Sequence, residues 1–190
     1  MKSLKFCIAI LALITVAARA GEFTLDTAHT TVSFRVKHLG ISTVTGHFDK
    51  FSGTVEFDPQ DLKSLKATAT IEAASINTAV EKRDEHLRNP DFFDVAKFAQ
   101  LTFASKEVKN VSGDKFQLVG DLTMHGVTKT ITLDGEFGGT AKDPRGNVRV
   151  GFSASGTVNR EDFGITAGQA GALVGKEIKI VLEVEAVQKK

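Results

Sequence analysis

Apolar and polar residues alternate with period two along nearly the whole chain after its first twenty residues. Across residues 30–39, Val32, Phe34 and Val36 fall on one face, while Thr31, Ser33, Arg35 and Lys37 fall on the other. This alternation marks a half-buried strand. It recurs at residues 23–25, 54–57, 65–73, 101–108, 116–124, 127–137, 148–158 and 177–187, giving eight or nine strands. The last run sets Ile178, Ile180, Leu182, Val184 and Ala186 against Lys179, Glu183 and Glu185. Short turn sequences separate the runs, among them Asp58-Pro59, Ser112-Gly113-Asp114, His125-Gly126 and the Asp-Pro-Arg-Gly-Asn of residues 143–147. Connections this short join antiparallel neighbours. A meander of about eight long strands escapes exposed edges by closing. The expected fold is therefore all-β: one domain forming an antiparallel eight-stranded barrel.

One segment, residues 77–98, has no alternation. It opens with Thr78-Ala79-Val80-Glu81, a capping-box arrangement for a helix start, and Pro90 stops it. On such a helix Val80, Arg83, Asp84 and Leu87 share a face, and Phe92-Phe93 follow at once. The pattern predicts a short helical insert with paired aromatics, placed as a lid or side wall on the barrel.

The first twenty residues change the picture of where the chain works. Lys2 and Lys5, an apolar stretch from Phe6 to Ala17, and Ala18-Arg19-Ala20 make a secretory signal peptide with its cleavage site. Residues 1–20 are expected to be removed and residues 21–190 to form the mature domain. The one cysteine, Cys7, leaves with them, which excludes disulfides, thiolate nucleophiles and cysteine-based zinc sites. Losing Lys2, Lys5 and Arg19 takes the formal charge from +1 to −2. A near-neutral, slightly acidic surface argues against nucleic acid or anionic membrane as the principal partner. All fourteen aromatic residues are Phe, rings that pack on one another or on hydrocarbon with no polar group to satisfy.

An eight-stranded barrel is either just filled by its own side chains or holds one small ligand. Small residues on the inward faces (Ala67, Ala69, Ala73, Gly120, Ala154 and Gly156) fit a cavity, and they equally fit a core in which they complement bulky neighbours. No nucleophile elbow, phosphate-binding loop or metalloprotease motif is present. The five histidines, His29, His38, His47, His86 and His125, lack the spacing of metal ligands, and convergence of some of them with Asp84 or Asp91 is the one metal alternative. The charge run 81–88 fits a solvated helix with internal ion pairs. It also fits a barrel mouth where Arg83, His86 or Arg88 receives a polar or phosphorylated head group.

Four stretches, TTVSFRVKHLG (30–40), GHFDKFSGTVEFD (46–58), INTAVEKRDEHLRNPDFFDVAKF (76–98) and GDLTMHGVTKTITL (120–133), occur in an order and spacing that resemble the YceI family of periplasmic proteins. In many relatives Met124-His125 reads Leu-Asn, so His125 is a departure. The resemblance implies a periplasmic, lipocalin-like extended barrel. Its elongated apolar tunnel would bind a polyisoprenoid, such as a polyprenyl phosphate or quinone tail, or a long-chain fatty amide, for transport or storage. It implies no enzyme activity, cofactor or stable membrane insertion, and leaves a homodimer open. His38, Arg83, Asp84, His86, Leu87, Arg88 and Phe93 match the recurrent motif positions. With Phe34, Val36, Ile71 and Phe92 they make up the candidate ligand-contacting set. Two alternatives stand beside this: an enzyme acting on such a lipid through His38, His86 and Asp84, and a filled barrel serving as an interaction module.

Overall fold

Long strands that must curve round a barrel need places to bend, and this chain bends three neighbouring strands at one level. The computed structural model describes residues 20–167 and 173–189. The expected signal sequence, apart from Ala20, lies outside the described residues. The strands are β1 (Gly21–Leu25), β2 (Thr31–His38), β3 (Ser42–Phe48), β4 (Phe51–Asp58), β5 (Asp61–Glu72), β6 (Ile76–Asn77), β7 (Gln100–Ser112), β8 (Lys115–Met124), β9 (Val127–Lys142), β10 (Val148–Asn159) and β11 (Val174–Gln188). One helix, α1 (Glu81–Arg88), stands between β6 and β7.

The pairing β1-β4-β5-β7-β8-β9-β10-β11 returns to β1, closing an eight-stranded antiparallel barrel. The other three strands prolong members of this ring. β2 carries on from β1 along the same partner β11, β3 runs into β4, and β6 continues β5 beside β3. The breaks at residues 26–30, 49–50 and 73–75 therefore lie side by side. Hydroxyls replace the ladder bonds lost there. Thr30 Oγ1 donates to the Glu185 carbonyl (3.0 Å) and accepts from the Glu185 N–H (3.1 Å). Ser75 Oγ accepts from the Lys50 N–H (3.0 Å).

β1 meets β11 over only three residue pairs, Phe23 to Gln188 through Leu25 to Ala186. A polar knot reinforces that short seam. Arg149 donates to Asp26 Oδ2 (2.6 Å), to Asp143 Oδ2 (3.2 Å) and to Glu185, tying the β1 end, the β9–β10 turn and β11 together. The Arg149 guanidinium, then His29, hold Asp26 down to about 2. Asp143 is held well below the carboxylate range chiefly by the Asn147 side chain and N–H, with Arg149 adding to them.

β3 carries no sequence signal because an inward position in it is Gly46, where a Cβ would fall inside the Phe34 ring. At the β8–β9 turn His125 (φ 52°) and Gly126 (φ 74°) both take left-handed backbone. Asn is favoured at the first of these positions and His is among the residues that tolerate it, so His125 serves a turn that Asn-Gly would also make. The capping box is absent. Val80 is the N-cap of α1 and makes no side-chain cap. Instead Asp84, inside the helix and buried, reaches back to accept from Thr78 N–H (2.9 Å) and Thr78 Oγ1 (2.5 Å).

Two apolar clusters fill the ends of the barrel. At one end Phe57, Phe116, Phe137 and Phe152 pack edge-on or tilted, with ring centroids 5.1–6.3 Å apart, beside the fully buried Phe23 and Val150. At the other, Phe48, Ile76, Met124, Phe163 and Ile165 gather beneath the α1 segment.

Candidate functional site

Between the two clusters lies a cavity of about 240 Å³. Along β11 its lining runs from Val174 through Ile178, Ile180 and Leu182 to Val184. Ten residue steps are roughly 33 Å of strand, and at the tilt of a small barrel that is roughly 25 Å along its axis. The site is long and narrow. The inward faces read from the alternation line it: Val32, Phe34 and Val36 on β2, and Leu65, Ala67, Ala69 and Ile71 on β5. The small residues divide into two kinds. Ala67, Ala69 and Ala154 face the cavity and leave room in it. Gly120 does not: a Cβ there would collide with the Phe103 ring, so this glycine accommodates a bulky neighbour.

Among the described residues five of the lining carry polar side chains: Thr30, Ser33, Thr54, Thr68 and Arg160. Four of these meet their needs within the wall. Thr30 bonds to Glu185 as above, Ser33 Oγ donates to the Val181 carbonyl (2.8 Å), and the Thr54 and Thr68 hydroxyls bond each other (2.9 Å).

Arg160 is different. It is 4% exposed, at the start of a short 3-10 turn (Arg160–Phe163) after β10. Its three nitrogens donate to the carbonyls of Gly175 (3.0 Å), Ile165 (2.6 Å) and Val174 (3.2 Å). A guanidinium has five N–H donors, and these bonds use three. Among the described residues no carboxylate forms an ion pair with it; burial lowers its pKa from the usual guanidinium value, and the charge of the neighbouring Glu161 offsets part of that. Among the described residues the cavity thus has one buried cation, in a wall whose other polar groups are hydroxyls bonded within it. The sequence hides it, because Asn159-Arg160-Glu161-Asp162 reads as an ordinary polar turn.

The insert closes the end near Arg160. Phe93 N–H donates to the Leu87 carbonyl (3.0 Å) and Val95 N–H to the Arg88 carbonyl (3.1 Å), folding residues 89–95 back onto α1. Leu87, Phe92 and Phe93 face the cavity, and Phe93 packs edge-on against Phe48 with centroids 5.9 Å apart. Of the candidate set, Phe34, Val36, Ile71, Leu87, Phe92 and Phe93 line the cavity. The other five do not. Arg83 donates to Thr78 Oγ1 (2.7 Å) and the Thr78 carbonyl (2.8 Å), and Arg88 to the carbonyls of Ala74 (2.9 Å) and Ile76 (3.3 Å). With Asp84 on Thr78, these side chains fasten the insert to β6. His86 is exposed near Asp91 and meets the Phe92 ring edge-on, and His38 lies exposed at the end of β2.

Among the described residues, one group has metal-ligand spacing: Asp26, His29 and Glu185. Arg149 already sits on both acids. His86 is 3.8 Å from Asp91, while the Asp84 carboxylate is turned to Thr78. Among the described residues no helix is long and apolar enough to cross a membrane.

A closed antiparallel barrel with a long apolar interior and a helical cover defines a lipocalin-like class of protein. A family model for the YceI-like domain matches residues 23–186. The chain belongs to the YceI family. It is 40% identical to Protein YceI of Salmonella arizonae over 189 residues, covering 98% of this chain and 97% of that one. The crystal structure of the Campylobacter jejuni YceI protein is 39% identical, with a TM-score of 0.73 over 87% of this chain and 97% of that one. A polyisoprenoid binding domain from Saccharophagus degradans, 16% identical, shares the fold with a TM-score of 0.66, covering 90% of this chain and 99% of that one.

Proposed function

We propose that the protein is an exported, periplasmic carrier or reservoir for one long-chain lipid, a polyprenyl phosphate, quinone or fatty amide, and that it works by binding rather than turnover. The observation that carries this reading is the apolar lining, which runs roughly 25 Å along the barrel and suits a hydrocarbon tail. The Saccharophagus degradans domain, described as polyisoprenoid binding, supports the same choice of ligand. Each buried methylene contributes about 0.8 kcal/mol, so the tail supplies the affinity. Arg160 meets the polar end with its unused N–H donors. A buried guanidinium that carbonyls and a nearby Glu161 charge compensate only in part is costly, and an anionic or strongly accepting head group relieves that cost.

The test titrates the protein with a polyprenyl phosphate and the polyprenol of the same length. Both bind, the phosphate more tightly, and Arg160→Gln removes that preference while keeping the alcohol's affinity. Failure of both ligands to bind overturns the reading.

A further inference from the structure

Large apolar side chains scattered singly over a surface need no explanation, but a cluster at one place does. Among the described residues the exposed large hydrophobics are Leu39, Ile41, Val80 and Leu173. All four are at the same end of the barrel. Leu39 N–H donates to the Leu173 carbonyl (3.0 Å), and Ile41 follows in the β2–β3 turn. Val80 is the N-cap of α1, in the insert that covers this end. Val36 and Val174, which line the cavity, are within three residues of this tip.

The turn itself is built against local preference. Leu39 (φ 53°) and Gly40 (φ 72°) both have left-handed backbone, and Ile41 N–H donates to the His38 carbonyl (3.2 Å). The three-residue connection 39–41 thus holds a turn with two successive left-handed residues, positions that favour Asn and Gly, and a bulky residue at the first of them is strained. Here that position holds a Leu that is 47% exposed, followed by an Ile that is 84% exposed. Neither conformation nor burial accounts for these side chains.

The strand ends behind the tip are basic. Arg35 lies directly opposite Lys179 on β2 and β11, a like-charge cross-strand pair that is unfavourable in isolation. Lys37 is on the same face, and none of the three has a carboxylate partner among the described residues. Lys176 is held by Glu161 (3.0 Å), leaving Glu177 as the acid on these strand ends.

We infer that this end of the barrel docks on an anionic lipid bilayer. Leu39, Ile41 and Leu173 enter the boundary between head groups and acyl chains, while Arg35, Lys37 and Lys179 meet lipid phosphates. The charges relieve their mutual repulsion on the phosphates, and the cavity's end is set against the membrane.

Flotation of the purified protein with vesicles of phosphatidylglycerol and phosphatidylethanolamine, and separately with phosphatidylcholine vesicles, tests this. The protein floats with the anionic vesicles. Combining Leu39→Asn with Ile41→Ser lowers its partitioning by about tenfold or more, and Arg35→Gln or Lys37→Gln lowers it roughly fivefold each. Asn suits the left-handed turn position, so an unchanged thermal melt of the double variant establishes that its fold is kept. Absence of flotation by the unaltered protein, or flotation of the double variant equal to it, overturns the inference. A protein that floats yet takes up no lipid leaves this inference standing and removes the carrier reading. One that fills its cavity from detergent-dispersed lipid and never floats does the reverse.

Discussion

Filling the cavity from within should remove lipid binding and leave the barrel standing. Ala154 on β10 and Ala69 on β5 both face the cavity, and β5 and β10 stand opposite each other in the eight-membered ring. Replacing either with Phe projects a ring into the space. A benzene-sized group occupies a cavity on the order of 150 Å³, more than half of the about 240 Å³ present. At roughly 30 Å³ per water-sized unit, about five methylene-sized units of a bound tail are displaced. At about 0.8 kcal/mol for each the loss is about 4 kcal/mol, roughly a thousandfold in Kd. Stability moves little, because filling a void offsets the strain of added bulk. Competition with a fluorescent long-chain probe gives the affinity, and thermal denaturation followed by circular dichroism reports the fold. If both variants melt like the parent and bind the probe equally well, the tail does not occupy this cavity.

Three further outcomes follow from the same structure. Gly120→Ala drives a methyl against both the Phe103 ring and the Ala104 carbonyl oxygen and costs about 1–3 kcal/mol, a fall in Tm of roughly 2–4 °C per kcal/mol for a chain of this size; adding Phe103→Leu restores only the part due to the ring. Asp26 titrates at about 2 when folded against about 3.9 unfolded, so its stabilising effect is present above about pH 4 and is lost as pH falls towards 2. Urea melts of Arg149→Met should therefore lie furthest below the parent at neutral pH, with the gap narrowing as pH falls from about 4 through about 2, and a gap independent of pH would sink the role given to the knot. Finally, N-terminal sequencing of the protein recovered from the periplasm should begin at Gly21; a chain starting at Met1 contradicts export with cleavage.

The barrel was legible because burial on one face of a strand leaves a period-two trace. Ile178, Ile180, Leu182 and Val184 alternate in the sequence and line the cavity in space. β3 left no such trace, since Gly46 stands where a large residue would have marked the inward face. The candidate site was legible to the same extent. Phe34, Val36 and Ile71 follow from alternation, and Leu87, Phe92 and Phe93 from an aromatic insert that had to cover something. The charged positions were not legible, because charge in a sequence does not tell whether a side chain meets water, backbone or ligand. Arg83 and Arg88 spend their donors on backbone carbonyls of the insert and β6. Arg160 resembles any polar turn residue until the chain returning at Val174 and Gly175 buries it.

Native mass spectrometry of the protein recovered from its own cells, followed by organic extraction, tests the central claim most directly. The account predicts one long-chain lipid per chain, released on extraction. An unliganded mass that persists after incubation with polyprenyl phosphates, quinones and fatty amides would contradict it.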